Sequence, residues 1–162
     1  MEYLQIFDKN KNILNEKIDR RFKRTLKNGK HYMVTLIFIK NKDNKFLVQY
    51  TSKAKKSLFA ITGGHVSYGD NSITTAIKET EEELGIKLTY DELKYIGTTS
   101  NNLCFCDIYY VAKDIPLNKM KLQKEEVESV YWLNIDEIKA LIKNNKFRYC
   151  NILPLKKLLE SI

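Results

Sequence analysis

The chain has 162 residues, 43% of them hydrophobic and 30% charged, and a formal net charge of +8. That length suits one folded domain. No apolar run approaches the roughly 18 residues of a membrane span, and three cysteines without a CxxC pair point to free thiols in a reducing compartment. The N-terminus lacks the charged-then-apolar pattern of a signal peptide, so a cytoplasmic location is expected. Charge is uneven: residues 1–60 carry fifteen Lys/Arg against five Asp/Glu, and the remainder carries thirteen against fifteen. A basic N-terminal part beside an acidic later part can steer polyanions. No ordered array of aromatic and basic residues supports nucleic-acid binding.

In chain order, Leu4 to Phe7 and Ile13 to Ile18 flank a turn at Asp8–Asn12 and read as a hairpin. A basic segment follows, Arg20-Arg21-Phe22-Lys23-Arg24, then Gly29-Lys30-His31. The run from Tyr32 to Ile39 is too continuously apolar for a one-sided strand and reads as a central one. Asn41–Asn44 is a turn, and Phe46 to Tyr50 returns as its partner. Later strands are expected at Leu93–Thr99, Leu103–Ala112 and Val127–Leu133, and helices at Asp136–Lys143 and Leu153–Leu159.

The stretch from Gly63 to Ile86 carries the chemistry. Glu79, Glu82 and Glu83 stand at i, i+3 and i+4, which places three carboxylates on one helix face. Gly85 ends the helix two residues later, so the anions crowd the negative end of its dipole. Stability alone does not favour that crowding; a hard divalent cation, bound through oxygens, does. Asp70, Asn71 or Ser72 can cap the start, and Ile73, Ala76, Ile77 and Leu84 form the core stripe, with Thr80 its weakest member. By helix geometry the acidic face lies roughly 120° from that stripe, the arrangement also expected of a solvated acidic surface. Before the helix, Gly63-Gly64 follows the apolar stretch Leu58–Ile61, as in a tight turn or a close backbone approach to a ligand.

The whole segment resembles the Nudix box, G-x5-E-x7-R-E-U-x-E-E-x-G-U with U aliphatic, set here over residues 64–86. Six of its nine specified positions match; Asp70 replaces a glutamate, Lys78 an arginine and Thr80 an aliphatic residue. Lysine keeps the charge of arginine and loses its planar fork. The resemblance implies an α/β (α+β) fold: a mixed β-sheet sandwiched between helices. Residues 1–162 would form a single domain, with an N-terminal hairpin extension over about 1–28. It also implies a metal-dependent pyrophosphohydrolase using Mg2+, with Mn2+ as an alternative. Water would cleave the diphosphate linkage of a nucleoside diphosphate derivative or a similar small molecule. Glu79, Glu82 and Glu83 would hold metal with the Gly64 carbonyl, and Lys78 would orient Glu79. Glu126, with Glu125 as the fallback, would complete the metal shell or activate water, because Gln123–Trp132 is similar to a Q-x-x-E-V…W stretch of one subgroup.

That subgroup contains proteins related to isopentenyl-diphosphate isomerase, which the hairpin, the basic segment and Thr62-Gly63-Gly64-His65 also resemble. The isomerase cysteine has no counterpart: glycines stand there, and Cys104 and Cys106 lie far downstream in a strand, as small apolar core residues do. Alternatives to hydrolysis are therefore a non-catalytic module that senses a nucleotide and, behind it, an isomerase-like enzyme. His65, following the glycines, is placed to touch phosphate or water, or to serve as a hydrogen-bonded structural residue; His31 starts a strand. Tyr50, Phe59, Tyr68 and Phe105 offer stacking surfaces or core. The partner implied is a small diphosphate, with no membrane; a homodimer is compatible with the family.

Overall fold

A computed structural model describes all residues, 1–162. The apolar run after the basic segment becomes β3 (Lys30–Lys40), and its continuity has the anticipated cause: both its faces are covered. Before it, β1 (Tyr3–Asp8) and β2 (Ile13–Asp19) form the antiparallel hairpin, and Phe7 and Asp8 pair with His31 and Lys30 at the start of β3. The basic segment between them is a 3-10 turn over Arg20–Thr25, capped by the Asp19 side chain.

After β3 come β4 (Phe46–Thr51), the two-residue β5 (Phe59–Ala60) and β6 (Thr62–His65). Gly63 and Gly64 are therefore strand residues, paired antiparallel with Leu36 and Thr35, and not a turn. Helix α1 (Ser72–Leu84) follows, then β7 (Lys94–Ser100), β8 (Cys104–Ala112) and β9 (Val127–Leu133). Strand β8 runs parallel to β3 over nine residue pairs and antiparallel to β7, while β9 pairs antiparallel with β4. The chain ends with α2 (Ile135–Lys143) and α3 (Ile152–Ser161).

Alternation along the strands builds two cores. Leu36 and Phe38 of β3, Phe46 and Val48 of β4 and Ile108 of β8 pack under Ile138 of α2 and Leu155 and Leu158 of α3. The intervening Ile37, Ile39, Leu47, Tyr109 and Val111 pack under Ala76 and Leu84 of α1. The sheet thus lies between helices, as the mixed pattern of the sequence requires. No helix is long and apolar enough to cross a membrane.

Candidate active site

Helix α1 is fixed at both ends. Asn71 caps it, accepting from the Thr74 amide while the Thr74 hydroxyl accepts from the Asn71 amide, and Gly85 closes it at φ +67°, the left-handed region that suits glycine. Of the three residues able to cap it, Asn71 does so. Thr80 is fully buried, its hydroxyl donating to the Ala76 carbonyl at 2.7 Å, so the stripe accepts it by satisfying its polar atom within the helix.

The helix then places its acids unequally. Glu82 is exposed, Glu79 is half-buried, and Glu83 is buried at 7% exposure. The solvated acidic face considered from helix geometry is thus not what forms: the sheet takes in Glu83. There Gln49 of β4 donates to Glu83 Oε2 at 2.7 Å and to the Thr62 hydroxyl at 2.8 Å. Gln49 lies outside the motif, and its signal in the sequence is a polar residue amid Phe46-Leu47-Val48 and Tyr50.

The pairing of β6 with β3 explains the glycines. A Cβ on Gly63 would collide with the Thr35 carbonyl oxygen, and one on Gly64 would lie 2.5 Å from Glu79 Cδ. The Glu79 carboxyl therefore rests directly on the Gly64 backbone, in space that any side chain would fill. Burial first, then the Glu82 charge, pushes the Glu79 carboxyl above its ordinary range. Burial also raises Glu83, against the hydrogen bond from Gln49 and with a further push from Glu79 and Glu126. Contact with Glu83 opposes the rise at Glu79, and contact with Glu79 adds to the rise at Glu83.

Glu126, just before β9, is half-buried, and Lys55 Nζ lies 3.4 Å from its Oε2. Its charge is felt at both Glu79 and Glu83. Glu125 is exposed and contributes its carbonyl to the Ser52 hydroxyl. Lys78 Nζ lies 4.0 Å from Asp70 Oδ2 on the exposed side of α1, and its charge favours ionised Glu79.

The histidines divide. His65 is half-buried between the Tyr32 ring at 5.7 Å and Lys23 Nζ, which donates to Nε2 at 2.8 Å. Burial, together with Arg20, Lys23, Lys55 and Arg148, lowers its pKa to about 3, so it stays neutral. His31 instead stacks on Phe105 at 4.2 Å. Phe105 is core, Tyr50 packs on Phe59 at 4.9 Å, and Tyr68 donates its hydroxyl to Asn15. Cys104 and Cys106 are buried free thiols.

The model of the NUDIX domain family matches residues 30–154. The chain belongs to the Nudix family. Among curated relatives of this Nudix chain, Nudix hydrolase 3 of Arabidopsis thaliana is 36% identical over 101 residues, which are 54% of this chain and only 13% of that protein. An uncharacterised Nudix hydrolase of Listeria monocytogenes is 27% identical over 74% of this chain and 73% of its own length. Among solved structures, a Deinococcus radiodurans protein superposes with TM-score 0.77 at 18% identity, covering 95% of this chain and 96% of its own. A MutT Nudix hydrolase from Burkholderia pseudomallei gives 0.63 at 15% identity over 78% and 96%. At such identities the structural likeness speaks to the fold.

Nudix hydrolases generally use divalent metals, and the donor set here fits one. Glu79 and Glu83 supply oxygens whose ionised forms lack a cationic partner within 4.0 Å, and the Gly64 cradle keeps the Glu79 carboxyl against backbone. No three acidic, cysteine or histidine side chains yet stand in a ligand-ready cluster. Glu82 stands exposed on the same helix.

Proposed function

We propose that this Nudix chain hydrolyses the diphosphate linkage of a nucleoside diphosphate derivative or a similar small diphosphate in the cytoplasm. The observation that carries the reading is the pair of buried Glu83 and half-buried Glu79, both raised above the ordinary carboxylate range, with Glu79 against Gly64 and the Glu126 charge felt at both. Glu79, Glu82, Glu83 and Glu126, with the Gly64 carbonyl, would hold Mg2+ or Mn2+. The ion's contribution is to neutralise the charge that builds on the diphosphate oxygens. Gln49 fixes the rotamer of Glu83 through its amide, and Gly64 leaves room for Glu79. Lys78 biases Glu79 toward its ionised form. Glu126 would either complete the metal shell or take the proton from the attacking water; the new P–O bond forms as the bridging P–O bond breaks, and the departing phosphate keeps that electron pair. Asp70, Lys78 and Thr80 alter the box without removing an acid of this cluster.

Phosphate release over a panel of nucleoside diphosphate derivatives, with Mg2+, Mn2+ or EDTA, tests the reading. Turnover of at least one compound, abolished by EDTA and by Glu82→Gln in a folded protein, is expected. No turnover of any of them would leave a ligand-sensing module instead.

A further inference from the structure

Four residues form one row across the sheet on its α1 side: Gly64 of β6, Thr35 of β3, Asp107 of β8 and Thr98 of β7, each the register partner of the next. Thr35 shares its face with Ile37 and Ile39, which pack under α1. It is fully buried, and its hydroxyl oxygen has no hydrogen-bond partner among the groups around it. His31 Nδ1 is in the same condition, but its ring stacks on Phe105 at the hairpin end of β3, away from the acids.

A buried hydroxyl left without a partner costs stability that a methyl group of the same shape would not. Valine also suits a strand at least as well as threonine does. Threonine at this position therefore points to a partner that the fold alone does not supply. Two carboxylates flank it along the row. Asp107 is already held, by Lys11 at 2.7 Å and by Thr98 at 2.6 Å. Glu79 has no cation within 4.0 Å, and its Oε1 lies 2.8 Å from where a Cβ on Gly64 would stand. The Cβ positions of directly opposed strand residues are roughly 5 Å apart and on one face. The Glu79 carboxyl thus rests over the immediate cross-strand neighbour of Thr35, and a turn about its last torsions brings an oxygen to the hydroxyl.

We propose that Thr35 is a positioning residue of the acid site: in the metal-bound protein its hydroxyl donates to the Glu79 carboxylate and fixes the direction of the other lone pairs. Carboxylates that ligate metals commonly receive such an outer hydrogen bond, which sets their orientation. The inference rests on the hydrolase reading only for the metal site on α1, and on no substrate or turnover.

The test titrates Mn2+ by calorimetry, without substrate, into wild type, Thr35→Val, Thr35→Ser and Thr98→Val, and compares their melting in EDTA. Thr35→Val is expected to melt no lower than wild type in EDTA and to bind Mn2+ about tenfold more weakly. Thr35→Ser, which keeps the hydroxyl, is expected to bind as wild type does. Unchanged affinity in Thr35→Val would overturn the assignment, as would an equal loss in Thr98→Val, which removes a donor from Asp107. A lower melting temperature of Thr35→Val in EDTA, or its failure to fold, would also overturn it, by showing that the hydroxyl serves the metal-free fold. Absence of Mn2+ binding in wild type would sink this assignment and the hydrolase together. Thr35-dependent Mn2+ binding without turnover of any diphosphate supports the assignment and refutes the hydrolase; turnover with Thr35-independent binding does the reverse.

Discussion

Two buried acids on the same side of the sheet are treated in opposite ways. Asp107 of β8, at 4% exposure, accepts from Lys11 Nζ at 2.7 Å and from the Thr98 hydroxyl at 2.6 Å. Lys11 comes from the hairpin turn, at φ +66°, so this pair also pins the hairpin to the sheet. Burial alone would depress the Lys11 ammonium, but Asp107 more than offsets it, and its pKa stands above the ordinary lysine value. Glu83, at 7% exposure, has only the neutral amide of Gln49 and a second carboxyl opposite it. The fold can neutralise a buried carboxylate where structure needs one. On α1 it leaves the charge open, which is where a cation from solvent gains most.

The contrast can be broken at either end. Glu79→Gln is expected to lower metal-dependent turnover by about 100-fold while far-UV circular dichroism is unchanged; near-normal turnover would remove Glu79 from the site. Lys11→Met, which strands Asp107, is expected to cost about 2 kcal/mol in urea unfolding with little effect on metal affinity. Gly64→Ala is expected to displace the Glu79 carboxyl and reduce turnover about tenfold, because the methyl would come within 2.5 Å of Glu79 Cδ.

Glu83→Gln sharpens the comparison through pH. The folded carboxyl is raised from 4.5 to about 8, so folding takes up a proton between those values and metal-free wild type loses stability as pH rises through that window. The neutral variant escapes that loss. Its melting temperature in EDTA is expected to exceed wild type by a few degrees above pH 8 and to match it below pH 4.5. Equal melting at both ends would show the carboxyl to be unstrained.

Much of this was legible in the chain because local signals agreed. The continuous run of β3, the hairpin turn at Asp8–Asn12 and the Asn71 and Gly85 ends of α1 each follow from short-range chemistry. The acid spacing gave the helix face. It could not give the depth of burial, because helix geometry places Glu83 relative to its own stripe and not relative to β4, where Gln49 waits. Gly63-Gly64 looked like a turn for a related reason: the need for glycine comes from Thr35 and Glu79, contacts invisible to local sequence.

Binding of Mn2+ followed by paramagnetic broadening of backbone amide resonances is the most direct test that α1 holds an open cation site. Selective loss of signals at Gly64, Glu79, Glu82, Glu83 and Glu126, abolished in a Glu79→Gln/Glu83→Gln protein that still folds, is the result expected. Broadening centred elsewhere, or unchanged in that double variant, would contradict it.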